Sequence, residues 1–283
     1  MIRSLPVERE REHVGVRLPT FIYGTAWKED ATTGLVRLAL KAGFRGIDTA
    51  NQRRHYHEAG VGEALAAARL RREDLFLQTK FTYVGGQDQR LPYDPRAPLA
   101  VQVEQSFASS LEHLGVDRLD SYVLHGPSVA RGLSNHDWET WEAMERLHAA
   151  GGTRLLGVSN VSLGQLAELY AGASTKPAIV QNRCFAAMGW DRAVRQFCRE
   201  RGIAYQAFSL LTANPEVLRH RRVHEIAARV GRTVPQVIFR FALEVGMTPL
   251  TGTTSPAHMA EDLGVYDFEL RPDEVRALEQ IVA

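Results

Sequence analysis

The sequence predicts one closed (β/α)8 barrel, preceded by a small β-hairpin, in a single domain spanning residues 1–283. Three observations carry the prediction. Eight short apolar or β-branched runs alternate with eight amphipathic stretches from about Leu18 onward, the pattern of a parallel sheet covered by helices. The 283 residues fit the ~250 that one such barrel needs. The first run ends Tyr23-Gly24-Thr25-Ala26-Trp27, without the G-x-G-x-x-G that would announce an open doubly wound sheet.

Taken in order, residues 1–18 are polar with short apolar alternations and read as a small antiparallel hairpin or an irregular lead-in. Strands are expected at 20–24, 45–48, 75–80, 119–125, 155–159, 178–182, 204–209 and 248–251. Helices are expected near 31–42, 59–69, 97–114, 137–150, 162–170, 190–201, 234–246 and 256–263. Leu35, Leu38, Ala39 and Ala42 show the three- and four-residue spacing that defines these helices. Gly43, Gly115, Gly151, Gly202 and Gly246 fall where helices should stop, because glycine enters the left-handed cap without a Cβ clash. Trp138 and Trp141, with Met144 and Leu147, read as helix-to-barrel packing. The segment 81–97 is long for a plain connection, and such loops carry function or move.

Composition excludes several function classes. Lys and Arg number 34 against 33 Asp and Glu, a net charge of +1, so no footprint for nucleic acid or an anionic membrane is visible. Cys184 and Cys198 have neither metal-ligand spacing nor the density of a disulfide scaffold. No apolar run approaches the ~20 residues of a membrane helix. The stretch Glu8-Arg9-Glu10-Arg11-Glu12 is too charged for a signal peptide, so a soluble cytoplasmic protein is expected. His55-Tyr56-His57 and His113 lack a carboxylate or cysteine at matching spacing, so no metal is expected. Arg219-His220-Arg221-Arg222 reads as a solvated face.

A barrel of this kind places its site at the carboxyl ends of the strands. Those ends read Asp48, Lys80, His125, Ser159-Asn160, Gln181-Asn182 and Phe208-Ser209. The chain has only four lysines, Lys28, Lys41, Lys80 and Lys176. A lysine directly after Leu75-Phe76-Leu77-Gln78-Thr79 is therefore expected to be buried and paired, with Asp48 as partner. Asp48, Lys80 and His125 are what carbonyl reduction requires, because hydride delivery builds negative charge on oxygen. Tyr56, in the loop after Asp48, supplies a hydroxyl that a neighbouring ammonium would make a competent acid, and His55 is the alternative acid. Trp27, His55, Phe81 and Tyr83 follow strand ends and are candidates to line a substrate pocket.

These residues resemble the aldo-keto reductases, NAD(P)H-dependent (β/α)8 barrels, over nearly the whole chain. The resemblance is carried by Gly46-Ile47-Asp48-Thr49-Ala50 with Glu58-Ala59-Gly60-Val61-Gly62-Glu63-Ala64-Leu65, and by Leu77-Gln78-Thr79-Lys80. It continues in Asp120-Ser121-Tyr122-Val123-Leu124-His125-Gly126-Pro127 and in Gly157-Val158-Ser159-Asn160 with Gln181 on the next strand. It implies reduction of a small-molecule aldehyde or ketone, with Tyr56 as proton donor, Lys80 and Asp48 tuning it, and His125 orienting the carbonyl. It also implies that Ser159, Asn160 and Gln181 hold a nicotinamide carboxamide, that Phe208 stacks on its ring, and that Ser209-Leu210 begin a pyrophosphate loop. Gly24, Thr25 and Asp48 are further implied cofactor contacts, as are Thr253, Thr254, His258, Glu261 and Asp262 for the adenosine half.

The chain departs from the family pattern in three places. The Gly-Val-Gly turn comes two residues late, so counting from Asp48 reaches Arg53 and counting back reaches His55, while the only tyrosine is Tyr56. Gly252, Thr253 and His258 stand where a lysine, a serine or threonine and an arginine usually grip the adenosine 2′-phosphate. Lost cationic contacts cost about 1.5–3 kcal/mol each, which leaves NADPH as the expected cofactor and NADH as the close alternative. Phe208 replaces a tyrosine and keeps the stacking face. The displaced tyrosine also supports a second expectation, a nucleotide-binding regulatory protein with vestigial chemistry.

Overall fold

A computed structural model describes residues 7–281, so residues 1–6 of the N-terminal lead-in lie outside the described residues. Strands β1 (Glu10–His13) and β2 (Val16–Pro19) form the antiparallel hairpin. Its two-residue turn puts Val14 at φ 49° and Gly15 at φ 73°, the left-handed pair that matches strand twist.

Eight parallel strands follow: β3 (Ile22–Gly24), β4 (Gly46–Asp48), β5 (Phe76–Phe81), β6 (Leu119–Leu124), β7 (Thr153–Ser159), β8 (Ile179–Arg183), β9 (Ala204–Phe208) and β10 (Thr248–Thr251). Each pairs with its successor, and β10 closes the barrel on β3 through Leu250↔Ile22 and Thr251↔Tyr23. Every one of the eight expected strands is present, with β10 as expected and the ends of the others shifted by at most two residues.

The hairpin stoppers the amino-terminal end of the barrel. Val16 and Leu18 are buried in one cluster with Ile22, Phe76, Leu155, Ile179, Ala204 and Leu250. Burying such aliphatic side chains contributes about 1.5–3 kcal/mol each. His13 and Arg11 fasten the hairpin by hydrogen bonds to the Ala178 carbonyl (2.8 Å) and the Thr248 hydroxyl (3.3 Å). With the lower end filled, the open end is the carboxyl one.

The helices are α1 (Thr32–Ala42), α2 (Glu58–Ala67), α3 (Leu99–Leu114), α4 (Asn135–Ala149), α5 (Leu163–Gly172) and α6 (Arg192–Glu200). They continue as α7 (Pro215–Arg219), α8 (Arg221–Val230), α9 (Val234–Glu244), α10 (Pro256–Leu263) and α11 (Pro272–Glu279). Ser134, Ser162 and Thr233 cap α4, α5 and α9 with reciprocal side-chain bonds. The five expected terminator glycines all have positive φ. Helices α7, α8 and α11 add to the expected set; each is short, charge-rich and buries only one to three side chains. The expected helix at 190–201 begins two residues later, after a kinked turn at Met188–Trp190.

Trp141 is buried and donates to the Thr175 carbonyl at 3.1 Å, while Trp138 lies against Gly172, so both pack as expected. The basic run spans the α7–α8 junction and is exposed, with Arg221 and Arg222 paired to Glu225. Among the described residues no helix is long and apolar enough to cross a membrane.

Candidate active site

Alternation along β5 turns Gln78 and Lys80 into the barrel and Thr79 outward toward the helices. Lys80 then meets Asp48 from the end of β4, its Nζ donating at 2.8 and 2.7 Å to the two carboxylate oxygens and at 2.7 Å to the Thr49 carbonyl. Lys80 is fully buried and Asp48 nearly so. Such a pair persists only because its remaining lone pairs are met. Gln78 and Gln181 donate to the same Asp48 oxygen at 2.7 and 3.0 Å, and both also donate to Gln206 at 2.7 and 2.9 Å. Gln78 and Gln206 were missed from sequence. The available signal is a glutamine inside an apolar strand, reinforced for Gln78 by its sharing the parity of Lys80.

The loop after Asp48 folds into a compact turn, with the His55 and Tyr56 N–H groups on the Gln52 carbonyl. Asn51 and Gln52 are buried and donate to the Ser106 and Gly86 carbonyls at 2.9 and 2.7 Å. The backbone N–H of Tyr56 donates to the Gln52 carbonyl at 3.0 Å, which lifts its ring over the ion pair. The ring centroid lies 5.2 Å from Lys80 Nζ and 5.9 Å from the His125 ring, edge to face. His55 turns the other way and stacks on Trp27 at 3.8 Å, with the Trp27 N–H on the His55 carbonyl at 2.7 Å.

Burial, and then the Asp48 carboxylate, hold the Tyr56 phenol above its ordinary value, so it is a protonated acid. Sequence reasoning expected Lys80 to favour the phenolate. In the resting site burial and Asp48 prevail, and the ammonium, with hydrogen bonds to Asp48 and Thr49, acts on the ring as a charge 5.2 Å from its centroid. Lys80 itself is lowered by burial, against the opposing pull of Asp48.

His125 is held by its Nδ1 against the Thr82 hydroxyl at 2.7 Å. Burial, the Lys80 charge and His55 push it from 6.5 down to about 3, so it is a neutral hydrogen-bonding group at working pH. A folded-state value depressed below the unfolded one means that the unfolded chain binds more protons in between. Stability should therefore fall as pH drops from about 6.5 toward 3, and His125→Asn should flatten that slope. Thermal unfolding across this range, compared between the two proteins, checks the expectation.

On the far side of the mouth, Ser159 donates to the Gln181 carbonyl at 2.6 Å, and Asn160, at φ 52°, donates to the His125 carbonyl at 2.8 Å. Gln181 uses its side-chain N–H groups inside the barrel, leaving its side-chain oxygen Oε1, distinct from the backbone carbonyl that Ser159 engages, to accept a donor. Phe208, half-buried, is covered on one face by the Arg183 guanidinium at 5.5 Å. Ser209 follows at φ 58°. Gly24 ends β3 beside the Thr251 carbonyl.

At the β10 end, Thr253 and Ser255 form the turn into α10, with the Ser255 hydroxyl capping His258 N–H. Thr254 and His258 are exposed and Glu261 half-buried. Asp262 is buried with one carboxylate oxygen unpartnered, and burial pushes it up to about 6. Lys28, which sequence reasoning left unused, donates its ammonium to the Gly252 carbonyl.

Several expected contacts are not brought to the mouth. Phe81 is fully buried on the helix side against Tyr83 and Tyr93, and the Tyr83 hydroxyl is tied to Asp137 and Thr140 at 3.0 Å each. Thr25 is buried and donates to the Asp48 carbonyl at 3.0 Å, and Leu210 is buried. Among the described residues no cluster of three or more His, Cys, Asp or Glu could hold a metal ion.

A protonated phenol and a neutral imidazole beside a buried ion pair, at the open end of a closed barrel, is the equipment of a barrel oxidoreductase. The Aldo/keto reductase family model matches residues 21–283, and the chain belongs to that family of oxidoreductases. It is 31% identical over 271 residues to a glyoxal reductase of Bacillus subtilis (strain 168), covering 95% of this chain and 91% of that one. It is 29% identical over 273 residues to a 9,11-endoperoxide prostaglandin H2 reductase of Trypanosoma cruzi (strain CL Brener), covering 95% and 89%. An aldo/keto reductase structure from Brucella melitensis superposes with a TM-score of 0.82 at 28% identity, covering 96% of this chain and 98% of that one.

Proposed function

We propose that the protein reduces a small aldehyde or ketone to the alcohol, with NADPH as the hydride source and Tyr56 as the proton donor. The observation that carries this reading is the Tyr56 ring held between Lys80 Nζ and His125 above the buried Asp48–Lys80 pair. As charge builds on the carbonyl oxygen, the Tyr56 hydroxyl gives it a proton and the Lys80 ammonium stabilises the phenolate left behind. His125, neutral and fixed by Thr82, hydrogen-bonds the same oxygen and orients it.

The chain's residues fit a nicotinamide nucleotide. When bound, it supplies the hydride. Asn160 and Gln181 Oε1 would hold the carboxamide, and Phe208 would offer its open face to the ring. The fit for a phosphate rests on Lys28, whose ammonium reaches the Gly252 backbone and makes no ion pair with any described carboxylate. It restores, from another loop, a cation that Gly252 cannot supply, and this favours NADPH over NADH. Lys28→Met is expected to weaken NADPH binding about 10–100-fold, the value of one charged hydrogen bond, and to leave NADH within about threefold. Tryptophan-fluorescence titration with each nucleotide checks this. Equal weakening of both would assign Lys28 to a phosphate that the two share.

The glyoxal reductase likeness makes glyoxal the first probe substrate. Consumption of NADPH on adding glyoxal, with the alcohol formed in equal amount, tests the reading. A sample that binds NADPH but consumes none with a panel of aldehydes and ketones would instead favour a regulatory nucleotide-binding protein.

A further inference from the structure

A second buried carboxylate stands just outside the barrel wall, behind the Asp48–Lys80 pair. Glu58 is the first residue of α2 and is 4% exposed. It accepts from the outward-facing Thr79 hydroxyl, from the Ser110 hydroxyl at 3.1 and 3.2 Å, and meets His113 Nδ1 at 3.2 Å. Helix α2 can reach these α3 groups because Gly62, one turn on, lies directly against the His113 carbonyl. A Cβ at Gly62 would sit 2.0 Å from that oxygen. The connection runs to the reacting residues by covalent neighbours on both sides. Tyr56 precedes Glu58 by two residues, and Thr79 immediately precedes Lys80.

We propose that Glu58 is a positioning residue, latching the start of α2, and with it Tyr56, to the strand that carries Lys80. The inference rests on Tyr56 being the proton donor. A latch is called for because the loop here is two residues longer than the family pattern, and the Tyr56 ring lies against Lys80 and His125 with no hydrogen bond from its hydroxyl among the described residues. The carboxylate has an electrostatic part as well. Glu58 favours the charged form of Lys80 on β5 and disfavours ionisation of Tyr122 on β6. Its histidine partner is His113, whose proton affinity is raised by the hydrogen bond to Glu58 against the effect of burial. Glu112 on the same helix adds to that rise and Arg53 opposes it. His113, 40% exposed, opens to solvent through a cleft of about 340 Å3 that Tyr56, His57, Arg53 and Arg90 also line.

The test is the pH profile of glyoxal reduction with NADPH for wild type, Glu58→Gln, Thr79→Val and Tyr56→Phe, alongside unfolding midpoints and NADPH affinities. Thr79→Val keeps shape and charge but removes the latch bond. It should lower kcat about tenfold, with KM and NADPH affinity within about twofold and the high-pH limb in place. Glu58→Gln should lower kcat similarly and also move the high-pH limb down by about one pH unit, because a negative charge that favours the ammonium form of Lys80 is gone. Both variants keeping kcat within about twofold of wild type, while Tyr56→Phe is inactive, overturns the latch and leaves the proton donor standing. Equal losses with no limb shift in Glu58→Gln overturn it too, reducing Glu58 to a structural contact. Turnover retained by Tyr56→Phe sinks the proton-donor reading itself and leaves nothing for Glu58 to position.

Discussion

Lys80→Met is expected to cost about 3–5 kcal/mol of stability and to abolish carbonyl reduction, because it leaves the Asp48 carboxylate buried without its counter-charge. The pair lies inside the barrel with side-chain exposures of 0% and 4%. Gln78 and Gln181 would still donate to Asp48, yet two neutral amides supply no net charge. The double variant Lys80→Met/Asp48→Asn should regain most of the lost stability, since both charges leave together, while remaining inactive. Chemical denaturation of the two single variants and the double variant measures this coupling. A double variant as unstable as the sum of the singles would contradict a paired role for the charges.

Tyr56→Phe should lower turnover by roughly 10²–10⁴-fold, the usual worth of a positioned general acid. It should do so with little effect on folding, because the ring contacts to Lys80 and His125 are kept and only the hydroxyl goes. His55→Ala should be mild by comparison. Its ring is stacked on the exposed Trp27, away from the Asp48–Lys80 pair, and burial and Arg54 lower its proton affinity. Single-turnover reduction by the two variants separates the candidates. A normal Tyr56→Phe rate beside a lost His55→Ala rate would reassign the acid.

Much of this arrangement is legible in the sequence because barrel strands announce themselves and their ends define the site. Lys80 stands out as a charge at the end of an apolar run in a lysine-poor chain, and Asp48 follows as the neighbouring partner. What the residue pattern hides is which face each residue takes once a strand end shifts by one position. Phe81 reads as the first loop residue after its strand, but it is the last strand residue, so alternation turns it outward into the helix-side core. The contribution of Lys28 is invisible for a different reason. It depends on a contact between residues 224 positions apart, which only barrel closure of β10 on β3 creates. Glu58 belongs to a recognisable motif, yet nothing in its spacing says that Thr79, Ser110 and His113 converge on it. Tyr56 lay between these cases. Counting from either flank misses it, and only the turn at Asn51 and Gln52 shows how a longer loop brings it over Lys80.

The account is tested most directly by following NADPH with the wild-type protein, first as it binds and then as glyoxal is added. Saturable binding, tighter than that of NADH, followed by consumption of one NADPH for each alcohol formed, is the predicted result. A folded sample that binds neither nucleotide would contradict the assignment of the barrel mouth as a carbonyl-reducing site.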